Sequence, residues 1–186
     1  MLSITDMTET DRDAIRHWRN QPDVAEWMYT NHEISETEHA AWFARHLHRD
    51  DEHYWVIRWD GRGVGVVNLT EIDRVNRTCS WGIYLADSTI RGTGAGAGAT
   101  FLSIDFAFSQ LGLMHVSASA LALNIRAIDL YTNIGFRNLG QRADLVVRGD
   151  EHLNVVDFVL EASDWAAMRS NHFDRLVADS ILAHTT

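Results

Sequence analysis

One cysteine and one proline are all that the 186 residues hold of either type. The lone Cys79 excludes an internal disulfide framework and a multi-cysteine zinc site, and it suits a reducing compartment. A single Pro22 excludes a proline-rich linker. Basic residues are scarce too: 16 Lys and Arg stand against 26 Asp and Glu, for a formal charge of −10. A field of that sign repels phosphate backbones and argues against nucleic acid as a partner. No apolar stretch approaches the ~20 residues that span a bilayer. Met1–Ile15 (MLSITDMTETDRDAI) has neither a basic n-region nor an apolar segment. The expectation is a cytoplasmic protein without a membrane partner.

What is present points to one compact domain. Apolar residues make up 46%, with seven Trp, seven Phe and four Tyr, too many for a disordered chain. A domain of this size buries very roughly 70% of its unfolded surface, and two domains do not fit. Thr8–Arg19 reads as a helix with Ile15 and Trp18 on one face, broken around Pro22. Ser35–Arg49 reads as a second helix, with Ser35 and Glu38 at capping-box spacing and Trp42, Phe43, His46 and Leu47 on one side. Tyr54–Trp59 and Val64–Ile72 form a hairpin around Asp60–Gly63, and Thr78–Ala86 is a third strand. Then come a helix over Ala99–Leu111, a strand over His115–Leu123, a helix over Ile125–Ile134, and a hairpin of Phe136–Arg148 and His152–Glu161. The order α-α-β-β-β-α-β-α-β-β predicts an α/β fold: a mixed, mostly antiparallel sheet with flanking helices over residues 1–162. Residues 163–186 read as a helical extension, Asp164–Ala183, with Trp165, Met168, Leu176, Ile181 and Leu182 on its apolar side.

The strongest local signal is Ile90–Gly98 (IRGTGAGAG), placed between a strand and a helix. Backbone amides at such a turn, with the helix N-terminus behind them, suit a phosphate, and side chains there would block its approach. A Walker loop fails because Gly96-Ala97-Gly98 stands where Gly-Lys-Ser/Thr is needed. Gly92-x-Gly94-x-x-Ala97 fits the dinucleotide fingerprint, but no acidic residue lies between Asp105 and Asp129 and hairpins precede the loop. The third reading is Arg-x-x-Gly-x-Gly, here Arg91, Gly92, Thr93, Gly94, Ala95 and Gly96. A glycine-rich turn without a ligand is the alternative. Downstream, Asn124-x-x-Ala127-x-x-x-Tyr131-x-x-x-Gly135-Phe136 puts Asn124 and Tyr131 two helical turns apart on one face.

These paired motifs, in this order, resemble the GNAT superfamily of N-acetyltransferases, and the resemblance runs from about Ile4 to Glu161. It implies a single acyl-CoA N-acyltransferase domain with acetyl-coenzyme A as co-substrate. Arg91–Gly96 would hold the pyrophosphate, and Asn124 and Tyr131 would lie against pantetheine and thioester. Where the family often has a basic residue two after the tyrosine, this chain has Asn133. Arg19-Asn20, Trp27-Met28-Tyr29-Thr30, Glu38-His39-x-x-Trp42, Gly65-Val66-Val67-Asn68 and Cys79-x-Trp81-Gly82-x-Tyr84 are similar to pseudaminic acid pathway acetyltransferases of the PseH type. That similarity implies a small-molecule nucleotide sugar as acceptor, with a homodimer as a compatible assembly.

The residues themselves agree in kind. Trp27, Tyr29, Trp42, Trp81 and Tyr84 offer flat apolar faces with polar edges, suited to a sugar or nucleotide and equally to a core. Asn20, Met28, His39 and Asn68 complete the expected acceptor site. Acetyl transfer needs a polarised carbonyl, an exit for the amine proton and a donor for the leaving sulfur. Tyr131 is the expected donor, backbone amides near Tyr84 and Leu85 hold the carbonyl, and Glu71, Ser80 or His39 takes the proton. His39, His46 and His48 are too irregularly spaced for one metal-binding face, so no metal is expected. Alternation puts Cys79, Trp81, Ile83 and Leu85 on one face of their strand and Ser80, Gly82 and Tyr84 on the other. Cys79 lacks a neighbouring base and reads as a structural thiol rather than an acetyl carrier. Protein N-terminal acetylation and a non-catalytic acetyl-coenzyme A sensor are the competing functions.

Overall fold

A computed structural model describes residues 1–46 and 49–176. Seven strands form one sheet: β1 (Leu2–Asp6), β2 (His53–Trp59), β3 (Arg62–Asp73), β4 (Thr78–Leu85), β5 (His115–Leu121), β6 (Arg137–Arg148) and β7 (Glu151–Glu161). Their spatial order is β1-β2-β3-β4-β5-β7-β6, and every neighbouring pair is antiparallel except β4 and β5. The helices are α1 (Arg12–Arg19), α2 (Pro22–Ala25), α3 (Glu36–His46), α4 (Ala95–Ser109), α5 (Ile125–Ile134) and α6 (Ala162–Leu176). This is the mixed, mostly antiparallel sheet with flanking helices that the sequence predicts.

Local chemistry accounts for most boundaries. Asp60 and Gly61 both have positive φ, 49° and 77°, the geometry of a two-residue turn whose twist matches the flanking strands β2 and β3. Ser35 Oγ accepts the Glu38 amide at 3.2 Å and caps α3. Pro22, read as a breaker, instead opens the short helix α2 at a position where its missing N–H costs nothing. Thr8 and Asp11 close a capping box over a 3-10 turn, and α1 itself starts only at Arg12. Leu47 and His48, and residues 177–186 with Ile181 and Leu182, lie outside the described residues.

Three expectations need correction. The sequence reading has no strand before the first helix, yet β1 pairs with β2 from Leu2↔Trp59 to Asp6↔Trp55. Five residues are too few for alternation to stand out, and Leu2 is recognisable only once its burial is known. The strand expected to reach Leu123 ends at Leu121. The helix expected from Ala99 begins at Ala95, because Gly94 takes a left-handed conformation (φ 89°) and caps it. Gly96 and Gly98 are therefore helical residues, and the Gly98 amide already bonds Gly94 O at 2.8 Å.

Each face of the sheet is covered. On one lies the main core, where Ile57, Val67, Leu69, Cys79, Trp81, Val116, Ala118 and Phe158 pack with Phe101, Ile104 and Trp165 from α4 and α6. Trp165 is buried, and both its indole N–H and the Arg169 guanidinium donate to Asp105, so the described part of α6 is built into this core. On the other face a smaller cluster joins Val56 and Val66 to Ile15 of α1 and Phe43 of α3, with Trp18, Trp42, Tyr54 and Tyr84 at its margin.

β4 and β5 are in register only from Thr78↔His115 to Trp81↔Ala118. Beyond that point β4 continues to Leu85 paired with β3, and β5 continues to Leu121 paired with β7. The sheet therefore splits between Gly82–Leu85 and Ser119–Leu121. Unpaired backbone groups line both edges of the split, at the carboxyl ends of two parallel strands, where open sheets characteristically bind ligands. Among the described residues no helix is long and apolar enough to cross a membrane.

Candidate active site at the split in the sheet

The glycine-rich segment reaches the mouth of the split from the main-core face. Thr93 Oγ1 donates to Ile90 O at 2.7 Å and holds the turn, while Gly92 (φ 82°) and Gly94 (φ 89°) reverse the chain. The Ala95 amide meets Thr93 Oγ1 at 3.4 Å, and those of Gly96 and Ala97, at the positive end of the helix dipole, precede the intrahelical bonding pattern. A Cβ on Gly96 would stand 3.4 Å from Leu85 Cδ1, so the loop lies against the end of β4. This donor set fits a phosphate. The Arg91 guanidinium is paired with Asp23 of α2 at 2.6 Å.

α5 approaches the same gap. Asn124 Oδ1 accepts the Ala127 amide at 3.2 Å and caps the helix, so the asparagine acts here as a cap. Two turns later Tyr131 is buried, its ring edge-on to Trp81 (5.3 Å) and Phe158 (5.4 Å). Burial raises the Tyr131 pKa well above the ordinary phenol value, and Tyr29 raises it further. The phenol is therefore held protonated, and its neighbourhood to Tyr29 places it beside the gap.

The opposite face of the split is polar. Pairing lines up Tyr54, Asn68 and Gly82 across three strands, and Asn68 Oδ1 lies 3.1 Å from where a Gly82 Cβ would stand. Gly82 thus leaves room for the asparagine. The Trp27–Thr30 segment folds over this face. Tyr29 Oη shares a hydrogen bond with Ser119 Oγ on β5 at 2.5 Å. Arg148 donates to the carbonyls of Glu26 and Met28, and Arg19 donates to Thr30 O at 2.7 Å. Neither arginine meets a carboxylate among the described residues. Arg19 Nη1 and Arg148 Nε are buried without a hydrogen-bond partner. Burial lowers the Arg19 pKa, Tyr84 and the Glu38 carboxylate raise it, and Arg148 lowers it, which places Arg19 within electrostatic reach of all three. Trp27 and Arg148 also line a cavity of about 400 Å³ with Leu121, Leu123 and Leu153.

Several expected site residues have structural work instead. Trp81 points into the main core, 4% exposed, with its N–H donated to Ser103 Oγ at 2.9 Å, so it cannot contact an acceptor on the other face. His39 is 5% exposed and its Nε2 bonds Arg12 O at 2.8 Å, tying α3 to α1. Burial lowers its pKa. Trp42 sits between His39 and His46, stacked on the latter at 5.8 Å. Asn20 exchanges two hydrogen bonds with the Ile34 backbone, at 2.9 and 2.8 Å, and fixes the loop that carries Tyr29. Burial pushes the Cys79 thiol up to about 12, which leaves no thiolate to carry an acetyl group. Glu71 and Ser80, by contrast, meet: the serine hydroxyl donates to Glu71 Oε2 at 2.7 Å. Sequence reasoning missed Arg148, Ser117 and Ser119, which carry no motif and acquire partners only through the pairing of β5 and the path of β6.

Comparison with known proteins agrees with this layout. Residues 2–137 match the family model for the acetyltransferase (GNAT) domain. The chain is 28% identical to "Acetyltransferase PseH" of Campylobacter jejuni over 134 residues, covering 70% of this chain and 80% of that one. It is 29% identical to spermidine N(1)-acetyltransferase of Escherichia coli over 99 residues, about half (53%) of each chain. A crystal structure of spermidine N-acetyltransferase from Vibrio cholerae, in complex with CoA and spermine, superposes with a TM-score of 0.82. That match covers 89% of this chain and 98% of the other at 20% identity.

Two outcomes follow from the geometry. Gly94→Val forces a β-branched side chain into the left-handed cap of the glycine-rich turn. It should weaken acetyl-coenzyme A binding at least tenfold, about 1.4 kcal/mol, by calorimetry, with the circular dichroism of the fold retained. For His39, burial holds the ring neutral, so below its ordinary pKa of 6.5 the unfolded chain takes up a proton that the folded chain resists. Stability should fall as pH drops from 6.5 towards 5, and His39→Gln should flatten that slope in thermal melts while activity stays near wild type.

Proposed function

The chain belongs to the GNAT acetyltransferase family, and from that premise we propose that it moves acetyl from acetyl-coenzyme A to the 4-amino group of a UDP-linked amino-dideoxy sugar. Such a product serves the pseudaminic acid pathway and the modification of flagellin or surface glycans. The observation that carries the acceptor class is the pair Arg19 and Arg148. Two neighbouring guanidiniums that form no salt bridge among the described residues, with buried nitrogens lacking partners, suit an anion, and a diphosphate supplies one. Trp27 and Tyr29, on the loop those arginines hold, offer faces for the apolar carbons of a deoxy sugar. The PseH relative, matched over most of both chains, supports the same reading.

In this reading the amino sugar enters on the polar face and coenzyme A on the α4 face, and they meet in the split. The amine nitrogen forms a bond to the acetyl carbonyl carbon, the carbon–sulfur bond breaks, the sulfur leaves with the Tyr131 proton, and the proton that the nitrogen loses on acylation restores the phenol. In the same reading, amides along Gly82–Leu85 that have no β5 partner hold the carbonyl and pantetheine. The buried, protonated Tyr131 is the donor for the sulfur. A polyamine acceptor is the second reading, favoured by the carboxylates Glu71 and Asp73 in one cavity wall and by the spermidine acetyltransferase relative.

Tyr131→Phe keeps the ring and removes only the hydroxyl. The turnover number should fall by about 10²-fold or more with acetyl-coenzyme A affinity nearly unchanged, as stopped assays and calorimetry would read. For the acceptor, kcat/KM is compared across UDP-4-amino-4,6-dideoxy-N-acetyl-β-L-altrosamine, the free amino sugar, spermidine and an N-terminal peptide. The nucleotide sugar should lead by well over the ~1–3 kcal/mol that one sugar contact supplies. Equal or better turnover of spermidine or peptide overturns the sugar assignment.

A further inference from the structure

At the root of the split, two residues before Gly82 and Ser119, Ser80 of β4 pairs with Ser117 of β5. On β3, Thr70 faces Ser80 and Asp73 faces Thr78, so one extra residue is accommodated between them in a β-bulge. Glu71 lies in that bulge with φ 52°, a left-handed conformation that non-glycine residues rarely adopt. Strict alternation would send a residue next to Thr70 into the apolar core. The bulge instead turns the Glu71 carboxylate onto the polar face, where Oε2 accepts the Ser80 hydroxyl at 2.7 Å.

The hydrogen-bond directions matter. Ser80 gives its proton to Glu71, and Ser117 gives its own to Cys79 O at 2.9 Å. The two serine oxygens lie 3.3 Å apart with lone pairs left over. They border a cavity of about 440 Å³ lined also by Glu71, Asp73, Thr78 and His115. The other charged groups there are already engaged. The Asp73 carboxylate accepts the Asn76 amide at 2.8 Å, the Asn76 side chain at 2.6 Å and the Val75 amide at 2.9 Å, which hold its pKa below the ordinary carboxylate value. His115 Nδ1 is paired with Glu161 at 2.5 Å, and Arg137 stands 3.8 Å from the same carboxylate. The wall between Glu71 and Ser117 thus presents hydrogen-bond acceptors, and the group that complements acceptors alone is an ammonium, with three donors and no lone pair.

We infer that this cavity receives the protonated amine of the acceptor, and that Ser80, backed by Glu71, strips its proton before acetyl transfer. An N–H bond of the ammonium breaks as its proton passes to Ser80 Oγ, and the Ser80 proton moves to Glu71 Oε2. The nitrogen is left with the lone pair that attacks the thioester. Glu71, exposed to solvent at its outer edge, then returns the proton to water. Glu71 acts through Ser80, and Ser117 positions the nitrogen from the other strand. The inference rests on acetyl transfer to a primary amine and not on which amine it is.

The test is the pH dependence of kcat/KM for wild type, Glu71→Gln and Ser80→Ala, with whichever of the UDP-amino sugar, spermidine and peptide probes turns over. Without the relay only amine that is already neutral in solution reacts. Both variants should therefore lose about tenfold or more at pH 6.5 and come within about twofold of wild type near pH 9.5. Acetyl-coenzyme A affinity and melting temperature should stay unchanged in Glu71→Gln, which keeps the shape of the side chain. A loss of equal size at every pH, or no loss in Glu71→Gln, overturns the relay. Failure of one acceptor probe while another shows the predicted profile overturns only the acceptor class.

Discussion

The loss of pairing between β4 and β5 after Trp81 and Ala118 is the constraint on which the site depends. Each strand keeps its outer neighbour, so the fold tolerates the split, but the inner edges carry amides and carbonyls with no sheet partner. Such groups need water or a ligand. The helix that follows each strand packs against the main-core face, α4 starting at a glycine cap beside Leu85 and α5 carrying Tyr131 two turns after its Asn124 cap. One break in a hydrogen-bond ladder thus gathers a glycine-capped helix N-terminus, a buried phenol and a row of main-chain donors.

The other face is organised by long-range arginine contacts. Arg148 on β6 and Arg19 on α1 hold the carbonyls of the Glu26–Thr30 segment from opposite sides, and Asn20 secures the chain beyond it at Ile34. The segment is thereby laid across the split with Tyr29 on Ser119. Paired arginines usually answer one another with carboxylates. Here backbone carbonyls satisfy part of each guanidinium, no carboxylate forms a salt bridge with either among the described residues, and one nitrogen of each is left without a partner, a costly arrangement for half-buried charges. That cost is the physical reason for expecting an anionic ligand on this face.

Much of this was legible in the residues. The Ser35 cap, the hairpin at Asp60-Gly61, the glycine-rich turn and the Asn124–Tyr131 spacing are local patterns, and local patterns survive into the structure because they involve neighbours a few residues apart. Alternation along Cys79–Leu85 already separated Trp81 from Tyr84, and the clusters on the two faces follow that division. The same alternation should have removed Trp81 from the acceptor site. β1 escaped notice because five residues hold too little pattern, and the glycine run was read as loop through Gly98 because propensity ignores the cap at Gly94.

What the sequence by itself determined is the set of elements, their faces and the two motifs that bracket the split, since all of these follow from periodicity and short-range hydrogen bonding. Which polar residues act together was decided only by tertiary structure. His39 and Glu71 look alike as candidate bases in one dimension. Packing buries the first against Arg12 O, and a bulge turns the second onto Ser80. Neither outcome has a local signature, because each depends on a residue 27 or 9 positions away whose approach is fixed by helix docking and strand register.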